Sequence, residues 1–504
     1  PGEFVMDVGA DDTLTVSNAI VTNSAGGAGL TKEGDGELII QANSSYTGIT
    51  TVNGGTLEIL ATAGGNTPGT DSYQINNGST LFLNETTASN LVLAVGRGDI
   101  TFGSSLTGGT LSLNGNTIFR NQTITTTGGA KNFVSGDRLN LQNSRSIAFD
   151  TAVGTDGIDL EVSATISSGD IIKNGAGTVS LTNSANNLGL QGGATGDPNT
   201  VTINAGTLEI GGAGRLVLGN YAGAITNDGT FKYNSTNAQT LSGVISGNGA
   251  VVKDNSSTLT LSGDNTYSGD TTVSAGTLAL SHASLNNIIS NSTVIDVAGG
   301  ATLDVSALGG GSGGLELANG QTISGSGTVS GDMTIGSGSV LSPGNSPGTM
   351  TVDNLTWTDG GTYLWEINNL NGGQGVDSGW DFISITNTFD LSGITTNFDI
   401  DITSLTLGNA PGFADGFSWA GLEYGDSFGT TFIIATANSI TGFEAGDFLL
   451  DDSGFVNGKL EWSISLDDGV TDSLVLSAVF VPEPSSTALL GLGGLALMLR
   501  RKRS

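Results

Sequence analysis

The chain has 504 residues, with 81 glycines, 8 prolines, one histidine, no cysteine and a formal net charge of −32. The missing cysteine excludes disulfides, thiolate metal sites and a cysteine nucleophile, and the one histidine excludes a histidine metal cluster. So acidic a surface repels nucleic acid phosphates and anionic lipid, and no nucleic acid partner is expected. A hydrophobic content of 37% with few prolines argues against general disorder.

The chain opens at Pro1 without an initiator Met or the start of a signal peptide, which suits a mature product or a fragment if the protein is exported. From Asp11 to about Gly344 the sequence reads as one long array of short strands. Ser163 to Asp170 and Asn183 to Asn199 read as loops or irregular coils, and so lie between the strands.

The clearest stretch is Leu259 to Leu280, LTLSGDNTYSGDTTVSAGTLAL. Leu259 and Leu261 alternate with polar residues, Gly263 to Asp270 supplies turn residues for a tight reversal, and Thr271 to Leu280 resumes period-two alternation. The same wording returns at Leu30 to Ile59, and a split copy runs through Ile172 to Leu181 and Val201 to Ile210. A unit that cannot bury its own face gains a core by stacking on copies of itself, so a solenoid is expected. At roughly 22 residues and about 4.8 Å per coil, roughly 340 residues would build an array on the order of 75 Å long. Val273, Leu278 and Leu280 are expected to point inward, with Thr and Asn stacking between coils.

The first copy carries Lys32, Gly34, Gly36, Leu38 and Ile40, then Asn43, Tyr46, Gly48, Thr50 and Val52. This pattern resembles the autotransporter-associated β-strand repeat of bacterial surface proteins, which implies a right-handed parallel β-helix. Lys173, Gly175 and Gly177 repeat the first half with no following Tyr. Lys253, Asp254 and Asn255 lack both glycines, so a different turn is expected there.

Ala307 to Leu317 reads as a hinge or wide loop by composition. Ile323 to Val352 resembles the closing coils of such arrays, and Ser342 to Gly348, SPGNSPG, marks a stop. Beyond it the composition changes: all five Trp (Trp357, Trp365, Trp380, Trp419 and Trp462) and 11 of the 18 Phe lie between Thr351 and Phe480. A β-rich cap that closes the solenoid is the expected reading, and an aromatic carbohydrate-binding face would need the Trp rings exposed in a row.

At the end, Pro482, Glu483 and Pro484 precede an apolar run at 485–499 and the basic cluster Arg500, Arg501, Lys502 and Arg503. The run would span about 22 Å as a helix, short for a lasting membrane anchor and adequate for a processed one, with the basic end cytoplasmic. This tripartite tail resembles the PEP-CTERM sorting signal of Gram-negative bacteria. The resemblance implies export, transient anchoring, cleavage near the motif by an exosortase-type enzyme and release to the surface or matrix. It also implies that the chain has no translocator barrel of its own.

Little catalytic chemistry is legible. His282 follows the end of a repeat and reads as a solvated turn residue. The adjacent carboxylates Asp11 and Asp12, Asp451 and Asp452, and Asp467 and Asp468 would point to opposite faces of a strand, so they read as turns. Gly372 to Asp377, GGQGVD, matches the start of a calcium-binding nonapeptide repeat once, where several stacked copies are needed, and reads as a glycine-rich loop.

The sequence thus predicts an all-β chain: a right-handed parallel β-helix over 1–345, an aromatic-rich β domain over 346–480 and a sorting tail with a short hydrophobic helix over 481–504. The expected function is an exported structural or adhesive surface protein, not an enzyme, with no cofactor or metal site. Its expected partners are an exosortase, exopolysaccharide and further copies of itself. The alternatives are a polysaccharide lyase or glycosidase on the same scaffold and a carbohydrate-binding surface protein.

Overall fold

A computed structural model describes residues 3–480, apart from 21–26, 43, 45, 62–71, 86–98, 104–105, 143–144, 189–198, 310–313, 345–346, 417–428 and 459. The sorting tail with its expected helix, Asn43 and Trp419 therefore lie outside the described residues. So do 189–198 of the expected loop, 310–313 of the expected hinge and 345–346 of SPGNSPG. The described chain is almost wholly β, with one short 3-10 turn, Ala445–Asp447. It divides into two compact units, residues 1–283 with 288–293, and residues 284–287 with 294–504.

In the first unit every described strand pair is parallel. One sheet has eleven described strands, from Phe4–Asp7, Leu30–Glu33 and Thr50–Val52 through to Ile245–Ser246. A second runs beside it through Thr13–Val16, Glu37–Ile40 and Thr56–Ala61, and a third joins from Asn220–Tyr221 to Thr277–His282. Partners lie one coil apart: Leu30 faces Thr50, 20 residues on, and Ile171 faces Val201, 30 residues on. Parallel neighbours cannot be joined by a tight turn. The chain instead leaves each strand, adds a strand to another sheet and returns one rung further along, which is the course of a β-helix.

The period-two alternation read in the sequence decides what each coil buries. Leu38, Leu57, Leu81 and Leu111 stack in register on consecutive coils, and Ile40, Ile59, Leu83 and Leu113 form the adjacent ladder. All eight are at most 3% exposed, and each such side chain contributes roughly 1.5–3 kcal/mol relative to exposure. Val273, Leu278 and Leu280 are likewise fully buried.

Local composition misleads in four places. Gly263 to Asp270 makes no reversal: Thr258–Leu261 pairs in parallel with Thr277–His282, and Tyr267 of the intervening segment is buried. Asn255 adopts a left-handed φ of 66°, so Lys253 to Asn255 turns as the other copies do, where Gly34 has 74° and Gly175 has 69°. Asparagine tolerates that region better than other non-glycine residues. Thr165–Ser167 is a strand, paired with Arg138 to Asn140. In the expected hinge, Leu315–Glu316 pairs with Met333 and Thr334, and Leu315 is buried.

The second unit begins in the same style. Val294–Val297, Thr322–Gly325, Val340–Pro343, Thr362–Ile367, Phe398–Ser404 and Phe448–Gly454 form a parallel series. The other sheet runs in parallel from Thr302–Leu308 to Gly429–Ala437, then turns antiparallel through Asp472–Phe480 to Leu460–Asp467. Its core is aromatic. Trp357 stacks on Phe398 with centroids 4.1 Å apart and meets Phe389 edge-on at 4.7 Å.

Candidate functional site

The repeated unit itself is the most specific local structure in the chain. Lys32, Lys173 and Lys253 occupy inward positions of their strands, and all three are 0% exposed. The alternation that puts Leu30 inside puts Lys32 inside two residues later. Each ammonium is fully partnered by carbonyl oxygens. Lys32 Nζ donates to Glu33 O at 2.8 Å, Gly34 O at 2.7 Å and Gly54 O at 3.2 Å. Lys173 Nζ donates to Asn174 O, Gly175 O and Ala205 O at 2.6, 2.7 and 3.1 Å. Lys253 Nζ donates to Asp254 O, Asn255 O and Ala275 O at 2.7, 2.7 and 3.1 Å.

The first two acceptors of each lysine lie in its own turn and the third lies one coil further on. Each side chain therefore clamps two consecutive turns through the three donors of an ammonium. Burial lowers the Lys173 amine to about 8, against the opposing charges of Asp150 and Asp159. Burial likewise lowers Lys253 to about 8, opposed by Asp254, and lowers Lys32, opposed by Asp7, Asp35 and Glu33. At neutral pH Lys173 and Lys253 still mostly carry their protons. The sequence pattern includes these lysines, and the signal of their role is a lysine at an inward strand position two residues before the left-handed turn residue, Gly34, Gly175 or Asn255.

The remaining pattern residues have equally local reasons. The buried Tyr46 and Tyr267 hydroxyls meet Thr50 and Thr271 Oγ1 at 2.9 and 2.7 Å. A Cβ on Gly48 or Gly269 would lie 2.5 or 2.4 Å from backbone atoms of the neighbouring coil, so only glycine fits. Outward asparagines bond along the stack, as Asn76 Nδ2 does to Asn53 Oδ1 and Asn204 Nδ2 to Asn174 Oδ1, both at 2.8 Å.

The residues considered for catalysis are not brought together. His282 is half-buried at the end of its strand, Asp11 and Asp12 are exposed near the first strands, and Asp467 and Asp468 are exposed at a hairpin. Asp451 is exposed and bonds Ser453 N, which lowers its carboxyl, while Asp452 is half-buried. Asp377 of the GGQGVD loop accepts from Asn368 Nδ2 at 2.7 Å and Asn409 Nδ2 at 3.1 Å. Among the described residues no group of three or more His, Cys, Asp or Glu side chains could hold a metal ion.

Asp381 is a perturbed carboxyl that the sequence did not single out. It is fully buried, and burial together with the nearby Glu366 charge raises it well above the carboxylate range. Its oxygens accept from Gly348 N at 2.8 Å and Glu366 N at 3.0 Å, which ties two strands and faces no solvent.

The four described tryptophans do not make a sugar platform. Trp357 and Trp365 are 0% exposed, while Trp380 and Trp462 are half-buried. Trp380 meets Phe432 at 74° and Trp365 meets Trp462 at 72°, so the rings are not coplanar.

Comparison with known proteins accounts for the two most specific parts of the chain. The family model of the passenger-associated-transport-repeat matches residues 30–59, 171–210 and 251–280. These are the three segments that carry the clamps. The PEP-CTERM protein-sorting motif matches residues 480–503. The chain carries both elements. Each passenger-associated-transport repeat is two coils deep, its halves stacked in one register: Lys32, Lys173 and Lys253 face Val52, Ile203 and Val273. The chain is also 29% identical over 361 residues to the adhesin BmaC autotransporter of Brucella suis biovar 1 (strain 1330). That alignment covers 69% of this chain and 9% of the adhesin. The PEP-CTERM motif implies processing by an exosortase and marks an exported cell-surface protein.

Proposed function

We propose that this protein is a non-catalytic structural and adhesive component of the bacterial surface or extracellular matrix. In this reading 485–499 anchors it to the membrane in passing, with Arg500 to Arg503 on the cytoplasmic side, until an exosortase cuts near Pro482 to Pro484. The stacked coils then associate with exopolysaccharide, with exposed sheet edges as the route to self-assembly.

The observation that carries this reading is the presence, in one chain, of a repeat built for stacking and a tail that matches an export signal. The likeness to a named adhesin supports the adhesive part.

The test is the intact mass of protein recovered from its native cell surface or medium, together with its binding to the cells' own exopolysaccharide. The expected result is a mass lacking the residues after about Pro484, and matrix binding without sugar release. A retained tail would overturn the processing, and released oligosaccharides would make the protein an enzyme.

A further inference from the structure

On the second unit, Thr328–Ile335, Thr349–Thr358 and Thr388–Gly393 lie side by side in parallel. Their outward side chains form two rows that cross the strands. Asp332 stands beside Asn354 and Thr334 beside Thr356, and Thr356 stands beside Asp390. With Thr388, two residues before Asp390 and on the same face, these side chains line an open groove of about 360 Å³.

The edges of the groove are tied by hydrogen bonds, and its middle is lined by hydroxyls. Asn354 Nδ2 donates to Asp332 Oδ1 at 2.7 Å, and Asn354 Oδ1 accepts from Thr388 N at 3.2 Å. Asp390 Oδ1 accepts from Ser392 N and Oγ at 3.0 and 2.7 Å, and from Thr441 Oγ1 at 3.2 Å. The hydroxyls of Thr334, Thr356 and Thr388 make no hydrogen bond to another described residue. Each can donate one bond and accept more.

The spacing selects the ligand. Asp332 and Asp390 stand two rungs apart, about 10 Å at about 4.8 Å per rung, too far to close around one cation at calcium–oxygen distances. A polar group offered once per rung instead suits a polymer whose hydroxyls recur along its length. The two carboxylates, with the acidity of the whole chain, repel a polyanion.

We propose that this groove binds an uncharged polysaccharide, laid across the strands. Its hydroxyls bond Thr334, Thr356 and Thr388 and donate to Asp332 and Asp390. This rests on the matrix reading above and names the class of polymer.

The test is affinity electrophoresis of the full chain through gels containing hydroxyethyl cellulose, laminarin or alginate. A neutral glucan is expected to retard the protein and alginate is not. The triple variant Thr334→Val, Thr356→Val, Thr388→Val keeps β-branched residues in the strands, and should weaken retardation about tenfold with an unchanged melting temperature. Asp332→Asn, a smaller change, should weaken it in the same direction. Equal retardation of variant and parent, no retardation by either glucan, or retardation by alginate would overturn the proposal. If the triple variant still binds the native matrix as the parent does, the groove is refuted and the surface role stands. If the parent itself fails to bind that matrix, the surface role falls.

Discussion

A lysine inside a parallel β-helix has to find three acceptors, and Lys32, Lys173 and Lys253 find them in the same three places. Substituting Lys173→Met keeps the bulk and removes the donors, leaving turn carbonyls short of partners. The expected loss is about 1–3 kcal/mol in urea unfolding, with faster amide exchange around Asn174 to Gly177 and Ala205. A variant as stable as the parent would deny the clamp any role in stability. The pH dependence follows from two opposing effects of burial. Lys173 and Lys253 titrate near 8 when folded and near 10.5 when unfolded, so between those values the folded state holds fewer protons and these groups add stability as pH rises. Burial pushes Tyr46 and Tyr233 up to about 12 from 10, so their contribution is lost as pH rises from 10 through 12. The urea midpoint should climb from pH 8 to about 10 and fall by about 11.5, and a steady fall from pH 8 would refute the lysine half. The lysines were visible in the sequence, and their role was not. The acceptor that gives each clamp its purpose lies 22 or 32 residues away in the chain.

At the scale of elements, period-two alternation located the strands because each coil buries one face. It could not say which strand lies beside which. The turn residues of GDNTYSGD look the same in a hairpin as in a coil corner, and the difference rests on a partner about twenty residues on, as Thr258 pairing with Thr277 shows. Asn255 illustrates a second blind spot, since a missing glycine does not mean a different turn when asparagine accepts φ of 66°. Replacement by Gly should leave melting unchanged within about 0.5 kcal/mol, and Asn255→Val should cost about 1–2 kcal/mol. Equal stability of the two would show that the left-handed turn relaxes. In the second unit, Trp357→Ala removes the ring that packs on Phe398, Phe389 and Tyr363. It should cost about 3–5 kcal/mol, read as a lowered urea midpoint of the tryptophan fluorescence transition. The aromatic enrichment was plain in the sequence, but whether the rings faced inward or formed a platform depended on angles that composition does not hold.

Across the whole molecule, charge acts on every coil, and no single contact displays it. Before Arg500 the chain has 11 basic residues against 47 acidic ones, and three of the 11 are the buried clamps. Self-repulsion of this kind weakens a compact state and is screened by salt. The melting temperature should therefore rise between about 10 and about 200 mM sodium chloride, and a fall would mean that specific ion pairs such as Lys131 with Glu161 outweigh it. Export and sorting were legible because their signal is linear and needs no fold to be read.

The clamps also change what the protein offers to its surroundings. A trypsin-like protease recognises a basic side chain extended into its own pocket, and an amine-reactive small molecule needs a nitrogen it can reach. Lys32, Lys173 and Lys253 present neither, since each is enclosed and hydrogen-bonded by its own turn and the next. The charge that fastens the coils is withdrawn from the places where hydrolases would look for it, so digestion at these lysines must wait for the turn itself to open.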